Sequence, residues 1–192
     1  MSLSNASPLL QAQYRQILLK VAADSIAHGL TRGRALEVTP ADFPAELQAP
    51  RASFVTLTLD DALRGCIGTL DARRPLARDV ADNAYAAAFR DPRFAPLRPS
   101  EWERLHIHIS VLSPPEPLNF SSEDELLAQL MPGIDGLILE EGVHHGTFLP
   151  SVWESLPDPR DFVIHLKRKA GLAPDYWSPT LRAKRYTTES FP

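Results

Sequence analysis

The chain has little cysteine, methionine, glycine or aromatic residue, and each shortage excludes something. Its 192 residues include one cysteine, two methionines and nine glycines, and aromatic side chains make up 8%. One cysteine cannot form an internal disulfide, and no spacing of cysteine and histidine is typical of a zinc site. No apolar run approaches the roughly 20 residues of a membrane-spanning helix. The composition therefore excludes a disulfide scaffold and predicts neither a metal site nor a membrane span.

The chain also has little excess of either charge. Lysine and arginine number 20 against 24 aspartates and glutamates, which gives a net charge of −4. Such a balance does not favour nucleic acid or an anionic membrane as partner. The N-terminal sequence lacks the basic stretch and apolar run of a signal peptide, so we expect a cytoplasmic protein. Hydrophobic residues, at 44%, suffice for the core of a single domain over residues 1–192, with room for a small subdomain.

Proline is abundant, with 18 residues, and divides the chain into short elements because it fixes φ and removes a backbone donor. Alternation of apolar residues predicts hairpins at 53–71 and 135–150 and a strand at 106–113. Helical spacing predicts helices at 8–29, 75–91, 121–130 and 158–171. Segment 112–122 is a candidate linker, and 173–192 shows no clear period. Strands that come as hairpins predict an α+β fold, with a largely antiparallel sheet and helices packed on it.

Capping signals predict where the helices begin and end. Ser7 followed by Pro8 is typical of a helix start, and Gly29 of a helix end. Further signals are the capping-box pair Ser122 and Glu125, the start signal Asp158 and Pro159, and the end signal Gly171.

The segment LRGCIGTL, residues 63–70, places the one cysteine between two glycines. The apolar pattern of the first hairpin favours an odd-length turn at residues 60–62, because a one-residue slip inverts every side chain. One face then carries Val55, Leu57, Leu59, Leu63 and Ile67. The other, more polar face carries Thr56, Thr58, Arg64, Cys66 and Gly68. Arg64 and Cys66 are therefore expected to project from the sheet together.

Two roles for Cys66 stay open at this point. A nearby cation stabilises a thiolate, so Arg64 favours a nucleophilic or ligand-contacting Cys66. Gly65 and Gly68 would then leave space for a ligand beside the strand. Alternatively, Cys66 is a small packed residue and the glycines serve helix packing. The second role is favoured, because free cysteine is among the most buried residue types.

The polar residues around this segment also have two roles each. Arg64 either holds an anion or pairs with an internal carboxylate, and the internal pair is favoured. His106 and His108 share one face of their strand, so His108 is a candidate base for the Cys66 thiol, against the alternative of an exposed polar face. With no third ligand evident, the histidines do not predict a metal site. Asp91 with Arg93 is expected to pin the turn that follows a helix.

A second group of candidates lies in the later hairpin. His144 and His145 are adjacent in a predicted strand, so they point to opposite faces and cannot enter one site without a bulge. His145 with Thr147 is a candidate lining for a ligand site. Structural roles for both are the alternative.

Six segments occur in an order that resembles the AMMECR domain family, over roughly residues 10–190. They are LRGCIGTL (63–70), DPRF (91–94), HIHISVLSPPEPL (106–118), GIDGLIL (133–139), HHGTFLPSVWE (144–154) and KAGL…DYW (169–177). Bacterial and archaeal members are called AmmeMemoRadiSam system protein A. The resemblance implies an α+β fold whose larger and smaller parts meet at a cleft. It also implies a cytosolic protein with Memo-type and radical SAM proteins as partners, and it carries no reaction or cofactor.

Two hypotheses for the function follow. In the first, a small anionic molecule is bound, or modified, around the LRGCIG segment. Cys66 and His108 are then the catalytic candidates, and the ligand-binding candidates are Arg64, Gly65, Gly68, His145 and Thr147. In the second, the chain is a non-catalytic regulatory or protein-interaction module, because no complete catalytic constellation is visible. The residues leave open whether the chain is an enzyme and which cofactor, if any, it uses.

Overall fold

The computed structural model describes residues 10–192. Its α-helices are α1 (Ala12–Arg32), α2 (Ala45–Gln48), α3 (Leu76–Phe89), α4 (Glu123–Gln129) and α5 (Pro159–Lys169). Its strands are β1 (Ser53–Leu59), β2 (Ala62–Gly68), β3 (Leu105–Leu112), β4 (Glu116–Leu118), β5 (Gly136–Glu141), β6 (His144–Phe148), β7 (Arg182–Tyr186) and β8 (Thr188–Phe191). Short 3₁₀ helices cover Pro40–Asp42, Pro99–Arg104 and Pro150–Glu154. The predicted α+β class with antiparallel strands is confirmed.

The chain forms two compact units. The first runs to Leu112 and also includes Glu189–Pro192, and the second is Ser113–Thr188. The boundary at Leu112 falls at the start of the segment that the sequence marks as a linker, although that segment also contains β4. No helix in the described part of the chain is long and apolar enough to cross a membrane.

The first unit packs α1 and α3 on one face of a sheet with strand order β2-β1-β3-β8. Val55, Leu57, Ile109 and Val111 alternate toward the helices and are fully buried, as the period of two predicts. Each such side chain stabilises the fold by about 1.5–3 kcal/mol. The helix side is rich in buried alanine, which lets α3 approach the sheet closely: Ala77, Ala81, Ala84, Ala87 and Ala88.

The turn of the first hairpin differs from the prediction of an odd length. Asp60 and Asp61 alone form it, and both have positive φ (50° and 64°), a pattern typical of a type I′ hairpin turn. An irregularity next to Leu57 then leaves Arg64 as the extra residue of a bulge. Beyond the bulge, Cys66 pairs with Thr56 and Ile67 with Val55, so the predicted sharing of faces by these residues holds there. Leu63, predicted to be on the apolar face, is 45% exposed.

The first helix also ends at a different residue. It continues through Gly29 to Arg32, and Gly33 is the left-handed residue that ends it, with φ of 70°. Gly29 is needed instead for packing, because a Cβ there would lie 2.4 Å from the Phe89 ring. At the other end, α1 begins after Gln11. The predicted cap at residues 7–8 lies outside the described residues.

The second unit packs α4 and α5 on one face of a sheet with strand order β4-β7-β5-β6. The Trp153 ring stacks on Phe162 at 3.8 Å, and its Nε1 donates to the Asp135 carbonyl at 2.7 Å. Asp158 caps α5 and Gly171, with φ of 82°, follows its end, as predicted.

Three features of the second unit differ from the sequence-based expectation. The sequence predicts a turn of the later hairpin at Glu141–Gly142, but the hairpin turns at Gly142 and Val143, because Glu141 pairs with His144. In the capping box of α4, Ser122 Oγ accepts from Glu125 N at 3.2 Å as predicted, but Glu125 Oε2 accepts from Ser121 N instead of Ser122 N. The tail, which lacks a clear period, forms β7 and β8.

Candidate functional site

One face of the first sheet is free of the helices of its unit, and we call it the Cys66 face. Strand alternation places on it Phe54, Thr56, Thr58, Leu63, Cys66, Gly68, His106, His108 and Ser110. Thr56 is paired with Cys66 on one side and with His108 on the other, so these three form a row across β2, β1 and β3. The Cys66 Sγ lies 3.2 Å from Thr56 Oγ1, and the thiol residue is half-buried.

His106 and His108 point to the Cys66 face, as expected, and both are exposed. The strand β1 lies between His108 and Cys66. Two strand spacings separate their backbones by about 10 Å, which is beyond direct hydrogen-bond reach. The structure therefore brings Thr56, and not His108, into contact with the thiol. A role of His108 as the base stays a prediction.

The outer edge of β2 at Cys66 is bonded to two side chains. Asp91 Oδ2 accepts from Cys66 N at 2.9 Å, and Arg93 Nη2 donates to the Cys66 carbonyl at 3.3 Å. The two side chains also bind each other, since Arg93 donates from Nη2 and Nε to Asp91 at 2.7 and 3.0 Å. Both polar groups of the Cys66 backbone on this edge thus have partners, as buried strand edges require.

The charges of this pair are strongly coupled. Asp91 is 2% exposed, and its hydrogen bond from Arg93, together with that from Cys66 N, holds the pKa of the carboxyl well below its usual range despite burial. The pKa of Arg93 is raised, mainly by the hydrogen bond to Asp91 and further by the charge of that carboxylate. Arg93 is 53% exposed, so its guanidinium also meets solvent.

Arg64 takes the internal role that the sequence favours. Its Nε and Nη2 donate to the two Glu101 oxygens at 2.8 and 3.1 Å, and Nη2 also donates to the Ala95 carbonyl at 2.9 Å. The bond from Arg64 lowers the pKa of Glu101. Arg64 is 12% exposed, and the expectation that it projects beside Cys66 is wrong, because the bulge directs its guanidinium to segment 95–101. An open cavity of about 360 Å³ lies there.

The two glycines that flank Cys66 are explained by packing. A Cβ on Gly65 would lie 2.1 Å from the Ala87 carbonyl oxygen of α3, so only glycine allows this approach. A Cβ on Gly68 would lie 2.2 Å from the Phe54 ring. Gly65 is buried, whereas Gly68 is partly exposed on the Cys66 face. Ligand binding by either glycine stays a prediction.

His145 and Thr147 lie in the second unit. His145 is exposed and its Nδ1 is 3.9 Å from Glu140 Oε1, whereas Thr147 is buried and its Oγ1 is 3.2 Å from the Tyr186 hydroxyl. His144 turns to the opposite face, as predicted, and its Nδ1 is 3.1 Å from the Ala170 carbonyl. Both histidines nevertheless line one open cavity of about 550 Å³ at this end of the sheet, although β6 pairs with β5 in an unbroken register, so the expectation that they cannot enter one site is wrong. The other lining residues are Glu140, Glu141, Gly142, Thr180 and Arg182. Among residues 10–192, no three His, Cys, Asp or Glu side chains are placed to hold a metal ion.

Comparison with known proteins gives the family. The AMMECR1 family model matches residues 19–191. This chain belongs to the AMMECR1 family. A protein of Methanothermobacter thermautotrophicus is 36% identical over 180 residues, 91% of each chain. A protein of Thermococcus gammatolerans is 37% identical over 193 aligned positions, 95% of this chain and 91% of that one.

One solved structure is similar along almost the whole chain. The crystal structure of an uncharacterised protein from Pyrococcus horikoshii has a TM-score of 0.80 and 33% identity, and covers 95% of this chain and 92% of its own. These relatives are uncharacterised, so membership of the family establishes the fold and leaves the activity to be inferred from the site.

In this AMMECR1-family protein, three of the six segments meet at the site: LRGCIGTL, DPRF and HIHISVLSPPEPL. The predicted pinning of a turn by Asp91 and Arg93 is confirmed, because Arg93 N donates to Asp91 Oδ1 at 3.1 Å. The contacts of both side chains with the Cys66 backbone are not predicted, since 25 residues separate Asp91 from Cys66. Asp and Arg spaced around a proline after a helix are the available signal, and that pattern does not specify a partner.

Proposed function

We propose that this AMMECR1-family protein binds a small anionic molecule on the Cys66 face. One observation carries the proposal: the half-buried thiol of Cys66 lies among hydroxyls and exposed imidazoles on strand positions that hold no carboxylate. Hydroxyl and imidazole N–H groups donate hydrogen bonds to an anion, and no negative side chain on these strand positions competes.

The proposal concerns binding, with Cys66 and Thr56 as contact groups. A covalent step at Cys66 would need a base within hydrogen-bond reach of the thiol. His108 is two strands away, and Thr56, whose Oγ1 is 3.2 Å from Sγ, is not a base at neutral pH. Binding is therefore the function that the geometry supports best.

Alkylation of Cys66 tests the proposal directly, because the chain has one cysteine. We would measure the rate of reaction with iodoacetamide in chloride, then replace chloride at constant ionic strength with phosphate, succinate or a nucleoside monophosphate. An anion seated on the face is expected to slow alkylation in a saturable manner. Equal rates of alkylation in all four salts, at up to about 50 mM of each anion, would contradict the proposal.

We further propose that the bound molecule belongs to a cytoplasmic pathway shared with Memo-type and radical SAM proteins. The resemblance to AmmeMemoRadiSam system proteins supports this. Co-expression of the three proteins, followed by affinity purification of this chain at two salt concentrations, is the test. Failure of both partners to co-purify, together with unchanged anion binding in their presence, would contradict a shared assembly.

A second candidate function is that of a non-catalytic interaction module. It is favoured by the internal pairing of both arginines near Cys66, Arg64 with Glu101 and Arg93 with Asp91. Cys66→Ala separates the two candidates. An interaction module is expected to keep partner binding in this variant, whereas a protein that works through the thiol is expected to lose its function in cells.

A further inference from the structure

We infer that Arg93 holds the negative group of the molecule bound on the Cys66 face, and that Asp91 sets the guanidinium in place. This inference rests on the proposed function and names the group that recognises the anion. From the sequence, the arginine candidate for anion binding is Arg64 in β2. The structure favours Arg93, in the segment after α3, instead.

The two arginines near the thiol differ in whether a nitrogen without a hydrogen-bond partner is accessible to solvent. Both guanidiniums lie near the Phe94 ring, with centroid distances of 6.0 Å for Arg64 and 5.4 Å for Arg93. Arg64 is 12% exposed, and its Nη1 is buried without a hydrogen-bond partner. Arg93 is 53% exposed, and its hydrogen bonds use Nε and Nη2. The Nη1 group of Arg93 makes no hydrogen bond to any described residue, which leaves it available to a ligand.

Asp91 fixes the position of this free group relative to the thiol. The same carboxylate accepts from Cys66 N and from Arg93, so one buried side chain connects the backbone of Cys66 with the guanidinium. Arg93 also donates to the Cys66 carbonyl at 3.3 Å. A guanidinium held by two such contacts loses less conformational entropy when it binds a carboxylate or phosphate than a free side chain would.

Arg93 is therefore a binding residue, and Asp91 is a positioning residue. Glu101 binds the same two nitrogens of Arg64, Nε and Nη2, but Arg64 is only 12% exposed and its Nη1 is buried, so this pair does not present a free donor to solvent. The ligand class that fits is a small molecule with a carboxylate or phosphate group, since these oxygens match guanidinium donors.

Two alkylating reagents of similar size test the inference on the full chain. Iodoacetate carries a carboxylate and iodoacetamide is neutral, and with both the thiolate forms an S–C bond while iodide leaves. The ratio of the two rates, divided by the same ratio for glutathione, measures how strongly the Cys66 site attracts an anion. We expect a normalised ratio above one in the unmodified protein, and a fall of about threefold in Arg93→Gln, the size expected of one partly exposed charge pair.

Arg64→Gln is the matched control, because it also removes one arginine near Phe94 and is expected to leave the ratio unchanged. Asp91→Asn keeps the Arg93 charge but weakens the contacts that hold its guanidinium in place. It should therefore lower the ratio less than Arg93→Gln does. If Arg93→Gln does not fold, the double variant Asp91→Asn/Arg93→Gln removes the pair without leaving a buried carboxylate alone. Far-UV circular dichroism and the urea midpoint establish that each variant is folded.

The outcomes separate the inference from the function on which it rests. A ratio above one that persists in Arg93→Gln overturns the assignment of Arg93 and leaves anion binding intact. A fall in Arg64→Gln equal to that in Arg93→Gln also overturns it. A ratio of one or less in the unmodified protein overturns the proposed function itself.

Discussion

Each of the two sheets has one face packed by helices and an opposite face that carries polar side chains, and these opposite faces differ in how their charged groups are paired. In the second sheet, Glu140 lies among Ile138, His145, Thr147, Arg182 and Lys184, and we call this the Glu140 face. Glu140 binds Lys184 Nζ at 3.0 Å and is 33% exposed. On the Cys66 face the strands contribute no carboxylate, and the negative partner of Arg93 is 2% exposed at the sheet edge.

The difference indicates where a ligand would meet an exposed positive group without an exposed carboxylate beside it. On the Glu140 face, an approaching anion meets the carboxylate as well as the lysine that neutralises it. Beside the Cys66 face, Asp91 is buried behind Arg93, so solvent meets the guanidinium and not the carboxylate. When only the cation of a neutral ion pair is exposed, the pair presents a positive potential to solvent. The Glu140 face also carries the exposed Arg182, so the two faces differ in the exposed carboxylate and not in the presence of a cation. That exposed carboxylate is the reason to place anion binding on the first sheet.

The largest expected effect comes from removing the buried carboxylate. Asp91→Ala leaves Cys66 N and Arg93 without their acceptor, and we expect it to lower the free energy of unfolding by about 3 kcal/mol. Glu140→Ala breaks a partly exposed pair and should cost about 1 kcal/mol or less. Urea unfolding of both variants measures the difference. Equal costs would show that the two pairs are alike and would remove the basis of the comparison.

The helix-packed faces of the two sheets also differ in how closely the helical segment approaches a glycine of the sheet. Substitutions of these glycines measure that difference. Gly65→Ala would put a Cβ 2.1 Å from the Ala87 carbonyl, so the backbone of α3 must shift, at a cost of about 2 kcal/mol. The corresponding Gly146→Ala in β6 would meet the Ala170 Cβ at 2.9 Å, and should cost about 1 kcal/mol. Thermal unfolding checks both values. A Gly65→Ala variant as stable as the unmodified protein would contradict the packing explanation of that glycine.

The alternating strands, the caps and the family resemblance predict the main elements of both sheets, because each rests on local spacing. The hairpin at Asp60 shows where this fails. Two aspartates with positive φ form an even turn, and a bulge at Arg64 restores the odd register that the apolar pattern requires. Periodicity detects the register but not how it is divided between turn and bulge. Strands β7 and β8 are missed because β7 carries three basic residues in five and β8 is short.

The site is predicted less completely than the fold. Cys66 and its polar neighbours follow from alternation, so Thr56 and His108 fall on the correct face. The contacts that Glu101 and Asp91 make with β2 do not, because these two residues lie 37 and 25 positions along the chain from Arg64 and Cys66. A contact between distant segments depends on how the chain after α3 crosses the sheet edge, and nothing in local spacing specifies that path.

The pH dependence of the free energy of unfolding is a smaller effect, and it is expected at the Asp91–Arg93 pair beside the Cys66 face. The pKa of Asp91 is lowered on folding, so its contribution to stability is complete above the unfolded value of about 3.9 and is lost as the pH falls below it. Glu101, whose pKa is also lowered, adds a change of the same sign. Urea unfolding between pH 7 and pH 3 should show less pH dependence in Asp91→Asn than in the unmodified protein. An identical slope in both would contradict the coupling of Asp91 with Arg93.

The smallest expected effects concern the neighbours of the thiol within the row Cys66, Thr56 and His108. Thr56→Val removes the hydroxyl 3.2 Å from Sγ and should slow alkylation by iodoacetamide about threefold at pH 7, since a hydroxyl that donates to a thiolate stabilises it. His108→Ala, about 10 Å away across β1, should change the rate by less than about twofold. His145→Ala on the Glu140 face is the control for a histidine in the other sheet. A larger loss in His108→Ala than in Thr56→Val, with a changed pH profile, would make His108 the base of the thiol and turn the Cys66 face from a binding surface into a catalytic one.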